Sequence, residues 1–214
     1  MQRRTVFFAA AGLMAALVAA PLAVSAQTAQ TSTAPITSVP AQVQSGDYRF
    51  EPSHSKVTWS VNHFGYSTYT GQFPRVEGTL KLDSNDIARS VVDVTINTAA
   101  VGTLDTALDN HLKTADFLDV ETFPTATFKS TSVKRTGDRT ADITGELTLH
   151  GVTRPVTVQA TFNQAGPNPM SKIYTLGFDA RATIKRSDFG IKTYVPAIGD
   201  EVTLVIEAEL QKVG

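Results

Sequence analysis

The feature that most constrains this chain is a two-residue rhythm. In GELTLHGVTRPVTVQATF, Gly145 to Phe162, the apolar residues Leu147, Leu149, Val156, Val158, Ala160 and Phe162 alternate with Glu146, Thr148, Thr157, Gln159 and Thr161. Side chains point alternately to the two faces of a strand, so each run has one apolar and one polar face. The turn HGVTR lies between them. The same pattern recurs nearly throughout from Asp47 onward and predicts eight principal strands, at 55–63, 75–83, 90–98, 125–135, 139–149, 155–163, 172–184 and 201–212. Gly, Asn, Asp and Pro fall between the runs, as in Thr136-Gly137-Asp138 and Ala165-Gly166-Pro167-Asn168-Pro169.

Strands that are all one-sided must hide their apolar faces together, either in a sandwich or in a sheet closed on itself. An eleven-residue strand at about 3.3 Å per residue is roughly 36 Å long. Tilted about 40°, it makes a barrel some 27 Å deep. Short turns between successive runs favour an up-and-down antiparallel barrel. The expected fold is therefore all-β: an extended, eight-stranded up-and-down barrel. One segment breaks the rhythm. TLDTALDNHLKTADFLD places Leu104, Leu108 and Leu112 four residues apart, predicting an amphipathic helix capped by Thr103 or Asp105 and ending near Phe117.

Barrels of this size are either filled by side chains or hold one small ligand. Small residues on the inner face, including Gly78, Ala126, Gly145, Ala160, Ala180, Ala182 and Ala208, leave volume unfilled. Trp59, Phe73, Phe128, Phe162 and Phe178 are large enough to fill it. The alternation leaves both readings open.

The N-terminus reads as an export signal. Arg3 and Arg4 precede an apolar run from Val6 to Val24, and Val24-Ser25-Ala26 has the small residues of a cleavage site, placing the signal peptide at 1–26. Residues 27–46 are mostly Thr, Ala, Gln, Ser and Pro, with no periodicity and no charge; this composition predicts a flexible spacer before a domain at 47–214. No run in the mature chain predicts stable membrane insertion. Cysteine is absent, which excludes disulfides and thiolate metal sites. A formal charge of −1 argues against a nucleic-acid partner.

The four histidines, His54, His63, His111 and His150, fall on separate elements without metal-ligand spacing, and no metal, cofactor or catalytic residue is predicted. Ser53-His54 and His54-Ser55 make poor nucleophile–base pairs, because neighbours in a strand face opposite ways. His54 and His63 are instead candidates to hydrogen-bond a ligand head group near a barrel mouth. In KRSDFGIKTYVP, Lys185, Arg186 and Lys192 are candidates for an anionic head group. Phe189 and Tyr194 stand beside them for an apolar tail. The other candidate tail contacts are Trp59, Val61, Phe73, Phe128, Leu147, Val158, Ala160, Phe162, Phe178, Ala180 and Ile206.

Four ordered motifs carry a resemblance. YRFEPSHSKVTWSVNHFGYSTYTGQF, DNHLKTADFLDVETFPTATFKS, GELTLHGVTRPVTV and IKRSDFGI resemble successive elements of the YceI-like family across about residues 47–212. Glu51 stands where the family more often has Asp. The resemblance implies a secreted, periplasmic, lipocalin-like barrel whose apolar pore holds a polyisoprenoid, a quinone or another long-chain amphiphile. Some members are dimers, so it also leaves a homodimer open. The function expected from the sequence is a non-enzymatic carrier or sequestering protein. The alternatives are an enzyme acting on such a lipid and a stress or interaction protein with an incidental cavity.

Overall fold

A computed structural model of the chain describes residues 36–214. The expected signal peptide at 1–26 and the first part of the expected spacer lie outside the described residues. The alternating segments form ten strands: β1 (Gly46–Phe50), β2 (Lys56–His63), β3 (Ser67–Pro74), β4 (Glu77–Leu82), β5 (Val91–Asn97), β6 (Thr125–Arg135), β7 (Thr140–Leu149), β8 (Val152–Pro167), β9 (Tyr174–Lys185) and β10 (Ile198–Lys212). All pair antiparallel in the order β1-β4-β5-β6-β7-β8-β9-β10-β2-β3, and β1 also pairs with β10. That extra pairing closes an eight-stranded barrel, with β2 and β3 as two additional strands. From β4 to β10 the chain runs up and down between neighbours. One helix, α1 (Thr106–Leu112), is shorter than the expected segment; the Asp105 carboxylate caps it by accepting from the N–H groups of Ala107 and Leu108.

The extra hairpin arises because one long strand serves two partners. β10 pairs with β9 from Glu201↔Lys185 to Gln211↔Thr175. Its other edge is divided: Leu210 pairs with Phe50 of β1, whereas Ile198 to Glu207 pair with His63 to Lys56 of β2. The barrel wall beyond β10 is thus β1–β4 toward one end and β2–β3 toward the other. The free edge of β3 is tied to the segment after β5, where Gln72 and Gly102 exchange two backbone hydrogen bonds of 2.8 and 2.9 Å.

Ser55 sits where the two pairings of β10 part. Its hydroxyl lies 3.1 Å from both the carbonyl oxygen and the amide nitrogen of Glu209, donating to the first and accepting from the second. Its own carbonyl accepts from Val76 N–H at 3.0 Å. Ser55 is buried, so these groups have no water to replace the serine.

The segment expected as a spacer is a packed part of the fold from Thr37 onward. Thr37 and Ala165 exchange backbone hydrogen bonds of 2.7 Å, extending the β8 edge. Pro40–Gln42 form a single 3-10 turn that delivers Val43 into a core cluster with Tyr48, Leu80, Phe162, Leu176 and Leu210. The Gln44 carbonyl accepts from the Tyr48 hydroxyl at 2.6 Å, and the Gln44 amide oxygen accepts from Lys212 Nζ at 2.7 Å. Burial pushes the Tyr48 phenol well above its ordinary range, so the hydroxyl stays protonated as donor. Single apolar residues without periodicity, such as Val43, give no strand or helix signal, and composition alone reads the stretch as unstructured.

Replacing Ser55 with Ala strands the N–H of Glu209 inside the wall and leaves its C=O with the Glu51 N–H alone, at 2.8 Å. The substitution is expected to lower stability by about 1–3 kcal/mol, measured by chemical denaturation. An unchanged midpoint would show that the branch does not depend on this hydroxyl.

Candidate functional site

The inward faces enclose two apolar chambers of about 250 and 230 Å³. Val57, Ile96, Leu147 and Leu204 line both, so the chambers meet at a waist made by β2, β5, β7 and β10. The first reaches toward the β4–β5 and β6–β7 turns. The second is closed over by α1, whose Leu108 and Leu112 join Phe117, Leu118 and Ile191 in its wall. The one apolar stripe of the helix is therefore part of the chamber.

Small residues on the inner face play two different parts. Ala160, Ala180, Ala182 and Ala208 line the first chamber and Ala126 the second. The glycines leave no space. A Cβ on Gly145 would come within 2.5 Å of the Phe128 ring and of the Lys129 carbonyl, and one on Gly78 would run into the Asp93 carbonyl. Gly78 and Gly145, expected to contribute empty volume, instead admit a ring and a neighbouring backbone. Gly71 of β3 does the same for Trp59, whose indole occupies the place of the missing Cβ.

Of the candidate tail contacts, Phe128, Val158, Ala160, Phe162, Phe178, Ala180 and Ile206 line the first chamber. Trp59, Val61 and Phe73 line the second, and Leu147 lines both. Phe189 and Tyr194 do not belong to either wall. Phe189 is buried in the turn after β9, where its carbonyl accepts from His150 Nδ1 at 3.1 Å. Tyr194 stands half exposed outside, its ring 6.2 Å from Phe117 and 6.4 Å from His111.

The candidate head-group residues are dispersed. His63 lines the second chamber, with its ring 4.6 Å from Phe64 and 6.1 Å from Tyr69. His54 lies on the outer surface, 2.5 Å from the Glu51 carboxylate and away from both walls. Lys192 is exposed. Lys185 lines a shallow polar depression with Asp200 and Glu201 outside the barrel.

Arg186 has a structural task. It is only 6% exposed, and its guanidinium donates to Gly199 O (2.9 Å), Ile191 O (3.2 Å), Thr193 O (2.8 Å) and Ile198 O (2.9 Å). Two of these carbonyls belong to the loop between β9 and β10 and two to the first residues of β10, so the side chain ties the loop to the start of that strand. Burial lowers its pKa, and the nearby Asp200 carboxylate opposes that shift. Burial also works to raise the Asp200 pKa, but hydrogen bonds of 2.9 and 2.7 Å from Ser187 N–H and Oγ, with the charges of Arg186 and Lys185, hold it below the ordinary carboxylate range. Arg186 therefore spends its donors on the loop that frames the second chamber.

Among the described residues no three His, Cys, Asp or Glu side chains come together as a metal site. Nor, among them, is any helix long and apolar enough to cross a membrane.

A closed antiparallel barrel with a forked tenth strand, one capping helix and an apolar interior is matched at family level. Residues 48–210 match the YceI-like domain. The chain belongs to the YceI-like family. A UPF0312 protein of Pseudomonas putida is 44% identical over 153 residues, 71% of this chain and 79% of that one. Protein YceI of Escherichia coli is 44% identical over 165 residues, covering 76% and 85%. Among solved structures, BcnA of Burkholderia cenocepacia superposes with a TM-score of 0.66 at 28% identity, over 72% of this chain and 95% of its own. A polyisoprenoid binding domain from Saccharophagus degradans superposes at 0.60 and 14% identity, over 78% and 98%; at that identity the likeness is one of fold.

The lowered pKa of Asp200 sets a pH signature for this YceI-like barrel. A carboxylate depressed in the folded state stabilises above its unfolded pKa of about 4, and that contribution is lost as pH falls through the folded value. Asp200→Asn is expected to lower the melting temperature at neutral pH, with the gap to the parent closing under acid. A constant gap in thermal melts across the acid range would remove Asp200 from this role.

Proposed function

We propose that this YceI-like chain is a periplasmic, non-enzymatic carrier that holds a long-chain isoprenoid-type amphiphile, such as a polyprenyl phosphate or a quinone, along its two chambers. The observation that carries the reading is the pair of hydrocarbon-walled chambers joined at the Val57–Ile96–Leu147–Leu204 waist. A branched, jointed tail of repeating apolar units suits two volumes separated by a narrowing. The Saccharophagus fold relative, itself a polyisoprenoid binding domain, supports the same ligand class. The secretory signal read from residues 1–26 supports the periplasm.

No special chemistry is needed for such binding. At about 0.8 kcal/mol per buried CH₂, ten methylenes contribute roughly 8 kcal/mol, the scale of micromolar affinity before association costs. A chamber lined by alanines is suited to this, because methyl groups on a hydrogen-bonded sheet cannot move inward to fill it. The direct test is mass spectrometry of an organic extract of gently purified protein. A long-chain amphiphile in stoichiometric amount is expected, and repeated preparations without one would contradict the carrier reading.

Ala180 provides the mutational test. It pairs with Ala160 on one side and Ile206 on the other, and all three line the first chamber. In a packed core, Ala180→Phe would cost about 1–3 kcal/mol through overpacking. In an open chamber the ring enters space a tail would occupy. The delipidated variant is expected to keep its stability in chemical denaturation while its affinity for a lipid tail drops about tenfold, a change of about 1.4 kcal/mol. Strong destabilisation with normal lipid binding would sink the proposal.

A further inference from the structure

The cations expected to meet a head group stand outside the chambers or, as Arg186, are occupied by the loop. The same alternation that builds the apolar wall brings two other arginines to its inner face. On β6, Val133 is buried and faces inward, so Arg135 two residues on faces the same way. On β7, Ala141 and Ile143 line the first chamber, and Arg139 just ahead of the strand continues their face. Arg135 pairs with Ala141 across the turn, and Thr136 N–H donates to Thr140 O at 3.0 Å, fixing the turn that holds both arginines. Arg135, Asp138 and Arg139 all line the first chamber where it meets the surface, together with Pro40, Ser84 and Ile87.

The two arginines are held differently. β8 has a register shift between Phe162 and Gln164, and the carbonyls of Phe162 and Asn163 there accept from Arg139 Nε at 2.8 Å and Nη2 at 2.6 Å. Its Nη1 is left without a protein acceptor among the described residues. Arg135 has neither a side-chain hydrogen bond nor an ion pair among them. The acidic groups of the neighbouring β4–β5 loop are engaged locally: Asp83 accepts from the N–H groups of Asn85 and Asp86 and lies 3.6 Å from Arg89, and Asp86 accepts from Ala88. Among the described residues, Asp138 is the one carboxylate that lines this chamber.

Building on the carrier reading, we infer that Arg135 and Arg139 form the subsite for an anionic head group, a phosphate or carboxylate on a lipid whose tail runs down the first chamber toward the waist. Arg139 is preorganised by the β8 carbonyls, and Arg135 supplies a second guanidinium free to close on the anion. Asp138 opposes the anion and moderates the affinity. Head and tail are then recognised at one end of the barrel, by arginines two residues beyond the inward apolar positions Val133 and Ala141.

Binding of farnesyl phosphate and farnesol to delipidated protein, measured at low and high salt, tests this. The parent is expected to prefer the phosphate at low salt. Arg135→Gln should weaken farnesyl phosphate about fivefold, the upper range for an exposed ion pair, and leave farnesol unchanged. Asp138→Asn should tighten the phosphate, and the double change Lys185→Gln with Lys192→Gln should alter neither probe. Inorganic phosphate at matched concentration should not displace farnesyl phosphate; displacement would make the site one for the free anion and overturn the lipid assignment. A phosphate preference that survives Arg135→Gln, or that disappears with the two lysines, overturns the subsite while leaving the carrier intact. Failure of the parent to bind either probe overturns the carrier reading itself.

Discussion

The barrel depends on β10 being shared. A sheet of one-sided strands has to close, but β1 is only five residues long and cannot pair along a fifteen-residue neighbour. The other half of that edge needs its own partner, and the β2–β3 hairpin provides it. At the fork the chain leaves β1, turns through residues 51–55 and re-enters the wall as β2. Glu209 lies opposite this turn; its C=O accepts from Glu51 N–H as well as from Ser55, but its N–H would be orphaned between the two pairings without Ser55. Unpaired buried backbone groups are among the costlier defects in a sheet. The fork also lengthens the interior. β1 and β4 enclose the first chamber, while β2 and β3 enclose much of the second.

Closure explains why the interior stays open. In a helical bundle, alanines at facing positions let neighbouring elements draw together. Here each alanine sits on a strand held at fixed spacing by two hydrogen-bonded neighbours, as Ala180 is between Ala160 and Ile206. The barrel radius follows strand number and stagger rather than side-chain size. Where a large ring does approach the backbone, the sequence provides a glycine: Gly71 under Trp59 and Gly145 under Phe128. Alanine leaves room for something else, whereas glycine makes room for a specific neighbour.

The same distinction separates what the sequence shows from what it conceals. Strands β4 to β10 were legible because their apolar faces are continuous over many residues, and α1 because Leu108 and Leu112 break the two-residue period. β3 was not, since its inward positions read Tyr69, Gly71, Phe73 and the glycine interrupts the apolar series. The reason for that glycine is a tryptophan from another strand. Residues 36–45 give no signal for a related reason: Val43 belongs to the core through one side chain, with no periodic neighbours to announce it. Basic residues were harder still. Lys185-Arg186 and Lys192 cluster in sequence, but Arg186 is committed to four backbone carbonyls and the lysines face outward. A linear run of charge carries no information about which donors the backbone already uses.

Arg135 and Arg139 illustrate the converse. Neither belongs to a basic run that stands out, yet each keeps the inward parity of a strand whose interior is otherwise apolar. A charge at an inward position is expensive in mid-barrel and tolerable only where the strand emerges from the core. Both arginines occur at that point, on either side of one tight turn. Parity shows which side of the wall a residue faces, and distance from the strand end shows whether water can reach it. Together they distinguish a cation at the mouth of an apolar chamber from one decorating the outside. Neither quantity is visible in composition, but both follow once the strand ends are fixed. The Thr136–Thr140 turn therefore does more than connect β6 to β7: it sets where the hydrocarbon wall stops and where a polar head group can begin.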